Sequence, residues 1–134
     1  MLYEELVSGM ASFIHSILPD WEINIGRVIG KKEQIVVMIP FNEQVNSISQ
    51  EGKLQLSIFT DDSRGMFDFE KNLQIRQKIE QELKNIDYQI PTQLGNPTYS
   101  FTLIPDQVWD ADYFEDIGLY GRVILFNFVA IQKQ

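Results

Sequence analysis

The spacing of hydrophobic positions changes along the chain, and each change predicts an element. From 54 to 60, Leu54, Leu56 and Ile58 alternate with Gln55 and Ser57, the two-residue period of a strand with one buried face. A polar break, Asp61-Asp62-Ser63-Arg64-Gly65, leads into the clearest helical stretch, near 68 to 86. There Phe69, Leu73, Ile79, Leu83 and Ile86 share one face, with Ile75 near its edge. Asp68 suits the cap and the positive helix end, and Glu80 with Lys84 forms an i,i+4 pair. Residues 2 to 18 carry the same period in Leu2, Leu6, Met10, Phe13, Ile14, Ile17 and Leu18, opposite Glu4, Glu5, Ser8, Ser12, His15 and Ser16. Pro19 ends that helix by driving Leu18 out of helical geometry. Tyr3 and Val7 widen its apolar stripe, which implies contact on more than one side: within its own sheet, or with a neighbouring subunit.

The remaining apolar runs have the period or length of strands. Trp21, Ile23 and Ile25 alternate, and Gly30-Lys31-Lys32-Glu33 reads as a hairpin turn into Gln34–Phe41. That second run is apolar on both faces, and Pro40 weakens pairing at its end. Residues 42 to 52 are mainly polar and read as a surface loop. After a short stretch at 88 to 92 and a turn at Gly95-Asn96-Pro97, Tyr99, Phe101 and Leu103 alternate inward until Pro105 stops the strand. Residues 106 to 121 read as an irregular acidic loop. Arg122–Ile131, hydrophobic on both faces, reads as a strand that is either central or covered by a helix on each side. The prediction is an α+β fold: a mixed, mainly antiparallel sheet of about four to six strands packed with two main helices, in a single domain spanning 1–134.

Composition narrows the function. The 134 residues suffice for one domain with a real core. There are 19 acids against 11 Lys and Arg, a net charge of −8, and no basic patch beyond Lys31-Lys32, so sequence-reading nucleic-acid binding is not expected. The absence of cysteine removes disulfides, thiolate catalysis and cysteine zinc sites. The N-terminal residues lack the basic start of a signal peptide, and no apolar run approaches the ~20 residues of a membrane helix, so a cytoplasmic protein without membrane contact is expected.

No catalytic constellation emerges. His15 is the lone histidine and sits on the polar side of the first helix; there is no G-x-S-x-G, P-loop or dinucleotide turn. Asp61, Asp62, Asp68 and Glu70 are explained by solubility and capping. Asp106, Asp110, Asp112, Glu115 and Asp116 lack the spacing of a calcium loop. The expectation is no enzyme, no cofactor and no metal. Val108, Trp109, Tyr113, Phe114 and Ile117 are interleaved with those acids, and such side chains either fold onto the core or anchor a partner. Trp109, Asp110, Asp112, Tyr113 and Phe114 are the candidate interaction residues.

The order of elements resembles the phage tail terminator and minor tail protein group: an N-terminal helix, paired strands with Pro40 near the end of the second, strand Leu54–Thr60 running into the helix with Leu73, Ile79 and Leu83, and a closing strand Arg122–Phe128. The resemblance implies a tail-completion protein of a tailed phage or prophage, assembled in the host cytoplasm and resident in the virion. Such a subunit forms a homo-oligomeric ring, typically of six, that caps the tail tube protein and meets the head connector, with no catalysis and no cofactor. The acidic charge fits a lumen that repels DNA. A different class also fits size and charge: a small acidic protein-binding module, either a secretion chaperone or an immunity protein that sets Asp110, Asp112 and Asp116 against a basic toxin.

Overall fold

Both helices lie on one face of a five-stranded sheet in the computed structural model, which describes residues 2–61, 69–92 and 95–133. In chain order the elements are α1 (Leu2–Ile17), β1 (Ile23–Ile25), β2 (Gln34–Gln44), β3 (Ser49–Thr60), α2 (Phe69–Asn85), β4 (Tyr99–Phe114) and β5 (Leu119–Gln132). The sheet order is β1-β2-β3-β5-β4. All neighbours are antiparallel except β1 and β2. An isolated bridge between Gln89 and Thr102 extends the sheet beyond β4. The architecture is the α+β arrangement that the periodicities predict, with the doubly apolar β5 central, between β3 and β4.

The core lies between the helices and the facing side of the sheet, where Ile35, Val37, Leu54, Leu56, Ile58, Ile124 and Phe126 are buried. The inward face of α2 is Asn72, Ile75, Ile79 and Leu83, with Ile86 packed at its margin; Leu73 is only partly buried. That face is rotated from the expected one. Phe69's side chain and the Asp68 cap lie outside the described residues. Glu80 pairs with Arg76 one turn behind it, at 2.5 Å, rather than with Lys84 ahead. The wide stripe of α1 is covered within the chain at Val7 but not at Tyr3, which stays exposed; the sheet lies on one side, and Gly9 meets the segment 90–92 on another, where an added Cβ would stand 3.1 Å from the Pro91 carbonyl.

Four further sequence expectations are corrected. The stretch 42 to 52 is no loop: β2 and β3 form a hairpin through it, closed at Val45 to Ile48, with Asn46 Oδ1 accepting from Ile48 N and Ser49 N. Exposure of every residue from 42 to 48 leaves no apolar alternation to read. Residues 106 to 121 are likewise ordered as the end of β4, a turn at 115–118 and the start of β5. Pro105 does not stop β4; the strand passes it with a register shift between Pro105 and Gln107, which an edge strand tolerates. Pro40 acts as expected, at a register shift between Met38 and Phe41.

The fourth correction concerns β1, which runs parallel to β2, so Gly30–Glu33 is not a hairpin turn. Parallel neighbours usually need a longer crossover. Here the buried Gln34 side chain holds the short one in place: its Oε1 accepts from Ile29 N at 2.7 Å and Asn24 Nδ2 at 2.9 Å, and its Nε2 donates to the Ile29, Gly30 and Lys32 carbonyls.

Candidate interaction surface

The side of the sheet away from the helices is largely uncovered, and antiparallel register arranges it in rows across β2, β3, β5 and β4. One row is Val36, Ser57, Val123 and Trp109; another is Met38, Gln55, Leu125 and Gln107. Beyond the Pro40 bulge come Phe41, Lys53, Asn127 and Ile104, then Glu43, Glu51, Val129 and Thr102. Apolar side chains on β2, β4 and β5 thus flank a polar column on β3. Phe41 (52% exposed), Ile104 (49%) and Trp109 (49%) are bulky side chains left half in solvent.

One end of this face is closed. Val28, from the crossover between β1 and β2, and Ile117, from the β4–β5 turn, pack against Val36, Phe59 and Leu119. Phe114 stands edge-on to Phe59, with ring centres 5.6 Å apart. Gly121 makes that contact possible, since a Cβ there would come within 2.7 Å of both rings. A cavity of about 200 Å³ lies beside this closure, with Arg27, Met38, Gln55 and Val123 among its walls.

The candidate residues are therefore divided. By register Trp109, Asp112 and Phe114 share the uncovered face, with Phe114 folded back onto it. Tyr113 points to the opposite side, where its ring lies 4.8 Å from that of Tyr120. Asp110's side chain lies outside the described residues. A second register shift, between Trp109 and Asp112, breaks the alternation and causes this division. Asp106 faces a cation within the chain: Lys53 Nζ bonds it at 2.9 Å and Asn127 Oδ1 at 3.0 Å. Among the described residues no three His, Cys, Asp or Glu side chains gather as metal ligands would.

Two buried polar groups were not expected. At the end of β5 nearest α2, Arg122 Nε donates to Asn72 Oδ1 at 3.0 Å, while Asn72 Nδ2 donates to the Ile58 carbonyl and to Thr60 Oγ1. Asn72 occupies an inward position of α2, so the sign in the sequence was a polar residue in phase with Ile75, Ile79 and Leu83. This cluster ties helix to sheet. Glu5, also buried, clamps the start of β4: its carboxylate accepts from Thr98 N at 3.0 Å, Tyr99 N at 3.2 Å and the Thr98 hydroxyl. Burial raises its pKa, but those donors together outweigh burial and hold it below the usual glutamate value. His15 lies exposed near the end of α1, beside Ala11, Ser12 and Trp21 in an open groove, with no acid in that lining.

These features define a class and stop there: a two-layer α+β domain with one uncovered, partly apolar sheet face. No family model matches the chain, and no curated protein matches it. It is similar to a solved protein whose name states no activity, at 8% identity and a TM-score of 0.53, over 97% of this chain and 92% of that one. At that identity the likeness concerns the fold. Among the described residues no helix is long and apolar enough to cross a membrane.

Proposed function

We propose that this chain works by assembling: a structural subunit of a tailed phage or prophage, forming a homo-oligomeric ring that caps the tail tube and joins it to the head connector. The observation that carries the reading is the uncovered sheet face, where Phe41, Ile104 and Trp109 sit half-exposed among polar neighbours. Side chains of this kind anchor protein contacts, and an apolar face of a sheet is left open at a cost unless something covers it. Of the elements that carry the resemblance, α1, β3 followed by α2, and the closing strand β5 support the reading, whereas β1 and β2 run parallel and β2 continues past Pro40. Because β5 is internal, head-to-tail contacts around the ring would fall to the outer edges of β1, β2 and β4, leaving the sheet face for contacts outside the ring.

The test is to mix the protein with assembled tail tubes and image them. Rings at one end of each tube support the reading; bare tube ends contradict it. One feature favours a second reading. Asp112, Glu115 and Asp116 gather around the β4–β5 turn, all exposed, beside the half-exposed Tyr113. An immunity protein would set such a patch against a basic toxin. Tight binding to a basic nuclease that weakens steeply with salt, together with indifference to tubes, would favour it.

A further inference from the structure

We propose that the uncovered face of the sheet is a self-association surface, on which a second copy of this chain packs face to face about a two-fold axis running across the strands. The inference stands independently of the tail reading.

The location of the apolar surface makes the first argument. Phe41, Ile104 and Trp109 lie on this one face, while the outer side of α2 presents Gln74, Gln77, Lys78, Gln81 and Lys84 to solvent. Tyr3, Ile25 and Ile29 are also exposed, but on α1 and around the short β1, so the sheet surface of a second copy that matches this face is the same face. A self-complementary patch of that kind makes a closed two-fold pair.

Charge fixes the direction of the axis. Glu43 and Glu51 are direct cross-strand partners on the exposed face, and like charges set opposite each other destabilise a sheet. Lys53, on the next row, is already bonded to Asp106 and Asn127. At the other end of the same strands Arg27 borders the cavity beside Val36 and Met38. An axis across the strands lays β2 on β2 and reverses the rows, which brings Arg27 of one copy over the Glu43–Glu51 pair of the other. The same operation sets Asp112, near one end of β4, toward Lys133, which follows β5 at the other. An axis along the strands would instead lay β2 and β3 on β4 and β5 and set the acidic pair over Thr102 and Val129, with no cation facing it.

Size is adequate. Four strands at about 4.8 Å spacing and about ten residues at about 3.3 Å rise give a footprint of roughly 600 Å² per copy. The total of roughly 1,200 Å² falls at the lower end of the range for specific interfaces, which predicts a concentration-dependent pair rather than an obligate one.

Sedimentation of the purified chain over a concentration series is the test. A monomer–dimer equilibrium is expected. Ile104→Lys should abolish the dimer, and thermal melts should show that this exposed substitution leaves the monomer folded. Arg27→Glu and Glu43→Lys should each weaken the dimer by about tenfold or more. The double variant R27E/E43K should recover most of the loss, which a merely structural role for either residue would not produce. A chain that stays monomeric throughout would overturn the proposal. So would a dimer indifferent to I104K, or charge variants whose effects simply add. A monomeric chain that loses binding to tail tubes on I104K would assign the face to a foreign partner and equally overturn it.

Discussion

The two faces of the sheet are built on the same strands but follow different rules. Toward the helices, Leu54, Leu56 and Ile58 and their neighbours on β5 are closed off from water, and the polar groups admitted there, Asn72, Arg122 and Glu5, are tied by hydrogen bonds. On the other face Val123, Met38 and Ile104 alternate with Gln55, Lys53 and Asn127, and bulky side chains stay half in water. One face supplies the stability of the monomer. The other adds only the small cluster of Val36, Phe59 and Leu119 at one end and leaves Phe41, Ile104 and Trp109 half in water.

The largest expected effect lies on the covered face. Leu83→Ala removes a side chain with no exposed surface and should cost ~2–5 kcal/mol in chemical denaturation. An unchanged midpoint would erase the distinction between the faces at its strongest point. A smaller loss is expected at the buried carboxylate. Glu5→Gln exchanges a charged acceptor for an amide facing the donors on Thr98 and Tyr99, at a cost of about 1–3 kcal/mol near neutral pH. Since the folded-state pKa of Glu5 lies below its unfolded value, its contribution is full above the ordinary glutamate range and fades as pH falls through the folded value. The gap between wild type and E5Q, followed by melts from pH 7 into acid, should therefore narrow.

On the uncovered face the expected change in monomer stability is small. Trp109→Ala should stay within about 0.5 kcal/mol of wild type in dilute solution while weakening assembly. A large loss of stability with assembly intact would move Trp109 into the core and end the contrast. A second small effect belongs to neither face. Asp87 and Tyr88 both hold positive φ, 53° and 57°, just past α2. Asp87→Gly should relieve that strain and shift stability by no more than about 1 kcal/mol, in the favourable direction.

The sequence revealed the covered face better than the uncovered one, for physical reasons. Burial on one side imposes a period, so α1, α2, β3 and the central position of β5 were readable from Leu, Ile and Phe spacing alone. In the hairpin at 42 to 52 every residue from 42 to 48 is exposed, and nothing selects an alternating pattern there. In β4 the bulges near Pro105 and after Trp109 reset the alternation, so a continuous strand read as a loop and Trp109, Tyr113 and Phe114 appeared to act together. The parallel pairing of β1 depends on the single side chain of Gln34, for which no local pattern exists. Asn72 and Arg122 meet only through tertiary packing, 50 residues apart. What could be read of the candidate surface was its chemistry, bulky apolar groups among acids, and not its geometry.

The most direct test of the contact surface uses the protein's own fluorescence. Trp21 and Trp109 are its two tryptophans, so Trp21→Phe leaves Trp109 as the sole reporter on the uncovered face. Acrylamide quenching of that variant should be efficient in dilute solution and should fall as the protein assembles, with itself at high concentration or on tail tubes. Quenching that is equally efficient in the assembled and dilute states, or that is already suppressed in the dilute monomer, would contradict the account.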